Sequence, residues 1–93
     1  MPAAARKGDK DTTGLGQIND GTVGVVKING KDAAVVGSKD TPHPPKKGKH
    51  GAPSPVVAGS GVVKFGGKAA ARVGDQFECG HAIAEGSPNV NVG

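Results

Sequence analysis

The sequence predicts an all-β domain of three related β-hairpins with approximate three-fold symmetry. The first observation behind this is an internal repeat. Gly24-Val25-Val26-Lys27-Ile28-Asn29-Gly30-Lys31-Asp32-Ala33-Ala34-Val35-Val36-Gly37-Ser38 aligns without a gap to Gly61-Val62-Val63-Lys64-Phe65-Gly66-Gly67-Lys68-Ala69-Ala70-Ala71-Arg72-Val73-Gly74-Asp75. A unit too small to bury its own apolar face packs against its copies. The second observation is turn chemistry. Asn29-Gly30 and Gly66-Gly67 stand in the middle of the two copies, and such pairs favour tight hairpin turns in which both residues take positive φ. The third is negative: no segment carries a helical stripe.

Each element follows in order. Val25 to Ile28, the Asn29-Gly30 turn and Lys31 to Val36 form the first hairpin, and Val62 to Phe65, Gly66-Gly67 and Lys68 to Val73 form the second. The third copy is split. Pro88-Asn89-Val90-Asn91-Val92-Gly93 matches Gly61 to Gly66, and Ala3-Ala4-Ala5-Arg6-Lys7-Gly8-Asp9 matches Ala69 to Asp75. For that hairpin to form, the terminal segments must lie side by side and close the chain on itself. The returning strands are rich in alanine, which lowers β-propensity. Convergence of three strands on a narrow axis explains this, and plain tolerance of alanine in a small domain is the alternative. Among the connections, residues 39–55 carry five of the seven prolines, which keep a chain extended and out of helix. Gln76 to Gly86 is shorter, and Asp9 to Asn19 reads as plain loop.

The 93 residues make one domain, near the size where a hydrophobic core is barely sufficient. Core material is scarce, with 34% hydrophobic residues and only Phe65 and Phe77 as aromatic rings, and rings normally supply the largest buried areas. So thin a core calls for a disulfide, a metal or a partner chain. The single cysteine excludes an internal disulfide. The net charge of +4 concentrates tightly only at Lys46, Lys47 and Lys49, too little to support a nucleic-acid partner. No apolar run approaches the ~20 residues of a membrane span. Met1 to Arg6 lacks the apolar stretch of a secretory signal. The expected site of synthesis is therefore the cytoplasm, with any exit by a route that reads the folded domain.

Every histidine and the only cysteine fall in two connections: His43 and His50 in one, Cys79 and His81 in the other. Three imidazoles and a thiolate make a set that tetrahedral zinc accepts. Cys79 and His81 are two apart, which puts them on one face of an extended chain, and Gly80 between them frees the backbone to turn. The spacing is not that of a zinc finger. Filling four positions leaves none for water, so such a metal is structural. Blander readings stand beside it: His50 as a solvated loop residue, Cys79 as a small buried hydrophobe, or Cys79 with His81 as nucleophile and base. The last lacks a third, orienting group.

Pro2-Ala3-Ala4-Ala5-Arg6-Lys7-Gly8-Asp9 and Ala69-Ala70-Ala71-Arg72-Val73-Gly74-Asp75 resemble the Pro-Ala-Ala-Arg signature of PAAR-repeat proteins, and the resemblance covers the whole chain. It implies a small conical domain that caps and sharpens a trimeric β-helical spike, the VgrG protein of type VI secretion or its phage-tail counterpart. It also implies one structural zinc ion held at the tip by three histidines and a cysteine, which here are His43, His50, Cys79 and His81. The implied role is non-enzymatic: spike attachment, envelope penetration and carriage of effector cargo, with delivery outside the cell or into a target cell. Residues 1–93 are expected to be a single such domain without an effector extension. A free-standing zinc module on nucleic acid is the weaker alternative, because aromatic stacking platforms are lacking. The sequence departs from the signature where Ala3 and Ala69 replace proline, and where Asp32-Ala33-Ala34-Val35 lacks both proline and arginine. Thr13-Gly14-Leu15 also lacks a histidine that many relatives carry after Thr-Gly.

Overall fold

Left-handed residue pairs set the architecture. In the computed structural model, which describes residues 2–42 and 53–93, φ is 55° and 80° at Asn29-Gly30 and 59° and 82° at Gly66-Gly67. Two consecutive positive values turn a strand back with the twist its partner needs. They join β2 (Val23–Ile28) to β3 (Lys31–Ala33), and β6 (Lys64–Phe65) to β7 (Lys68–Ala69), as antiparallel pairs. The third hairpin has chain ends in place of a turn. Ala3 bridges Asn91, the Ala4 amide donates to the Val90 carbonyl at 2.9 Å, and the Val92 amide donates to the Pro2 carbonyl at 2.8 Å. The termini therefore meet as the split repeat requires.

The three alanine-rich strands converge on an axis. The Ala5 amide donates to the Ala71 carbonyl (3.0 Å), Ala71 to Ala34 (3.0 Å), and Ala34 to Ala5 (3.1 Å), closing a ring of backbone hydrogen bonds. All three residues are at most 1% exposed. Backbones this close leave room for a methyl and little more, so alanine is a packing requirement here. On one side of the ring, Ala4, Ala33 and Ala70 pack with Ile28 and Val92 against Val26, Val63 and Phe65. On the other, Ile18, Val56, Ile83 and Phe77 pack against the ring itself.

Each alanine strand ends in the same turn. The amides of Asp9, Ser38 and Asp75 donate to the carbonyls of Arg6, Val35 and Arg72 at 2.9–3.0 Å. The third residue of each turn is Gly8, Gly37 or Gly74, with φ of 91°, 95° and 94°, the conformation that a type II turn demands. A side chain locks each one. Asp9 accepts the Arg6 amide (2.7 Å) and its guanidinium, and Asp75 does the same for Arg72 (2.8 Å). In the middle copy, Ser38 Oγ accepts the Val35 amide at 2.9 Å, doing with a hydroxyl what the others do with a carboxylate.

The segment expected to be plain loop, Asp9 to Asn19, is more ordered than that. Ile18 is fully buried and opens β1 (Ile18–Asp20), which pairs with β4 (Lys39–Asp40), which pairs with β5 (Ser54–Pro55). The cause is a rung repeated three times. Ile18, Val56 and Ile83 donate to the carbonyls of Asp9, Ser38 and Asp75, and accept from Gly8, Gly37 and Gly74. A rung with one apolar residue per strand is too short to show a period of two. The described residues contain no helix, and the molecule measures 33 × 24 × 21 Å.

Candidate functional site

Two residues beyond each glycine turn's end, the chain reaches Asp11, Asp40 and Phe77, which bridge Ile83, Ile18 and Val56 in cyclic order. All three are 1% exposed. Asp40 is so deeply buried that loss of water, and then the hydrogen bond and charge of Asp11, push its carboxyl up to about 8. One rung further, the amides of Thr12, Thr41 and Glu78 donate to the carbonyls of Ala82, Gln17 and Pro55 at 2.8–2.9 Å. Three segments thus leave the axis side by side: one from Thr12, one from Thr41, and one from Glu78.

The last of these carries half of the sequence-predicted metal set. The Phe77 amide donates to the His81 carbonyl (2.8 Å) and the Gly80 amide to the Phe77 carbonyl (2.9 Å), with Gly80 at φ 98°. Cys79 and His81 therefore belong to one tight turn. Cys79 is half-buried and packed against the apolar layer, its amide donating to Ser54 Oγ at 2.9 Å. His81 Nδ1 lies 3.4 Å from Thr12 Oγ1. His43 and His50 lie outside the described residues; Thr41 and Pro42, the entry to their segment, start beside Gln17. Among the described residues no three His, Cys, Asp or Glu side chains converge as metal donors. A thiol and an imidazole on a single turn are nonetheless the donor chemistry that borderline-soft zinc takes.

A cavity of about 330 Å³ on the flank is lined by Lys7, Gly8, Gly30, Lys31 and Asp32, and includes neither Cys79 nor His81. The residues that sequence reasoning passed over are the Arg6–Asp9 and Arg72–Asp75 clamps, the Asp11–Asp40 pair, and Thr12. Identical Arg-x-Gly-Asp spacing in two copies was a usable signal for the clamps. Nothing local marks the aspartates, since they meet only when distant segments fold together.

A comparison with curated proteins gives no match. The family model described as the PAAR motif matches residues 7–85 of the 93.

Proposed function

The chain belongs to the PAAR-motif family, and from that premise we propose that it caps the trimeric VgrG-like spike of a type VI secretion system. The family is structural, and its place is at the spike tip of contractile injection systems. The observation that carries the finer reading is the ring of hydrogen bonds through Ala5, Ala34 and Ala71. It gives one polypeptide the symmetry of a trimer. A trimeric β-helix ends in strand edges with unpaired backbone groups, which invite uncontrolled pairing. A monomer with three equivalent hairpins can meet all three edges at one end while its other end tapers. Val25 and Val62, 91% and 81% exposed at related positions of the hairpin end, supply apolar surface for that contact.

At the other end the section is too small for a large core, and we assign its cohesion to one structural zinc ion held by His43, His50, Cys79 and His81. Bound zinc would supply a crosslink between two connections, worth of order 10 kcal/mol in small domains. Piercing of a target envelope and carriage of effector cargo follow as the mechanical role. The same geometry serves a phage tail spike, whose tip meets the same three-fold end.

The test is stoichiometry. Co-expressed with its trimeric spike, the protein should co-purify as one copy per three spike chains, measured by native mass spectrometry. A one-to-one ratio or no complex at all would overturn the capping role.

A further inference from the structure

The three copies do not all meet in the same way. At each interface the residue after a strand donates its amide to the neighbouring copy: Val36 to the Ala69 carbonyl (2.9 Å), Val73 to Ala3 (2.9 Å), and Lys7 to Asp32 (2.8 Å). Two of these interfaces are closed by a glycine. A methyl on Gly59 would stand 2.9 Å from Val36 Cγ2 and 3.1 Å from Ala69 Cβ, and one on Gly86 would stand 2.7 Å from Val73 Cγ2 and 3.0 Å from Ala3 Cβ. Contacts that short leave room for hydrogen alone. At the third interface the repeat puts Thr22 where the glycine stands, and Lys7 and Asp32 where the others have valine and alanine.

This charged interface borders the flank cavity of about 330 Å³, lined by Lys7, Gly8, Gly30, Lys31 and Asp32. Asp32 is already held: Lys27 Nζ donates to Oδ1, and Thr22 Oγ1 donates to Oδ2 at 3.4 Å. Lys7 and Lys31 are exposed, and neither forms an ion pair among the described residues. Gly8 and Gly30 add no side chain to the wall, so a ligand can approach the backbone closely. The size is at the low end for a ligand pocket, enough for one side chain rather than a cofactor. Two ammonium groups suit the two oxygens of one carboxylate, with each hydrogen bond charge-assisted. The ionised Asp32 in the same wall opposes a doubly charged anion such as phosphate.

We propose that this cavity is a docking pocket for one acidic side chain of a protein partner, its carboxylate held between Lys7 and Lys31. Since glycines close the other two interfaces, such a partner binds once per molecule, in one orientation about a nearly three-fold object. The pocket stands apart from the capping role and does not depend on it.

The probe is a capped Gly-Glu-Gly tripeptide, titrated into the full chain while the nitrogen-15 amide shifts of Lys7, Gly8, Gly30 and Lys31 are followed. These shifts should saturate, and the matching Gly-Gln-Gly peptide should leave them unmoved. A Lys7→Val, Lys31→Gln double variant, both changes at exposed positions, should bind the Glu peptide at least about ten-fold more weakly, since two charge-assisted hydrogen bonds are lost. Lys68→Gln, at the position matching Lys31 in the next copy, should bind like the parent. Inorganic phosphate should bind more weakly than the Glu peptide. No saturable shift, equal affinity in the double variant, or an equal loss in Lys68→Gln overturns the pocket. Tighter binding of phosphate overturns its assignment to a carboxylate.

Discussion

Asp40 occupies a position whose pseudo-symmetric relatives are Asp11 and Phe77, so two carboxyl groups and a ring share one buried layer. In the unfolded chain an aspartate titrates near 4, while in the fold Asp40 titrates near 8, chiefly because burial disfavours its charged form. Between those values the folded state holds a proton that the unfolded state has released, and stability therefore falls as pH rises. Below the unfolded value the penalty is absent, and above about 8 it is complete. Asp40→Asn, neutral at every pH, should be more stable than the parent at pH 8.5, with the gap in Tm closing toward pH 4. Parallel Tm curves for the two proteins would contradict the shift. None of this is legible along the chain. Asp11 and Asp40 read as solvated loop residues because their neighbours are polar, and only the fold brings them beneath Ile18 and Ile83. Alanines 5, 34 and 71 were legible, since their low β-propensity demanded a steric reason and the axis supplies one.

Hairpins announced themselves through Asn29-Gly30 and Gly66-Gly67, where turn type depends on two adjacent residues. The rungs at Ile18, Val56 and Ile83 stayed hidden, because each is a single apolar residue held by main-chain bonds to a glycine turn and not part of a run of alternating residues. Half of the candidate site behaves likewise. Cys79 and His81 were found together because one turn carries both, whereas Thr12, distant in sequence, comes beside His81 only in the fold. The split hairpin lies between these extremes, readable only by joining the two ends of the repeat. Its structural weight is testable. Val92 is 3% exposed within the apolar layer of Ala4, Ala33 and Ala70, and the terminal strand is held by the Ala4-to-Val90 and Val92-to-Pro2 hydrogen bonds. Deleting residues 90–93 removes one buried aliphatic side chain and those bonds, a loss of about 3–5 kcal/mol. Because the third hairpin closes the ring, the whole thermal transition should shift downward as a single step. An unchanged Tm would mean that the termini merely lie together.

A single chain that imitates a trimer does so imperfectly, and the imperfections fall in different places at the two ends. At the turns, Ser38 and Val35 replace the Asp–Arg pair, yet the Val35 amide is still bonded and the backbone is unaltered. At the hairpin end, Val25 and Val62 correspond, but the third position is Asn89, which joins Asn29 in a side-chain hydrogen bond of 2.8 Å. Single exposed valines are ordinary on protein surfaces. Two related by the molecular three-fold, on the face where a trimer would sit, bear on docking. Replacing both with aspartate tests this cleanly, because residues so exposed contribute little to folding, within about 0.5 kcal/mol each. The Val25→Asp, Val62→Asp double variant should therefore keep its Tm and still lose spike binding by at least about ten-fold, since each buried, unpaired carboxylate must be desolvated on contact. Binding that survives with the fold intact would place the spike contact elsewhere on the molecule, and the three-fold axis would then be a device of folding alone.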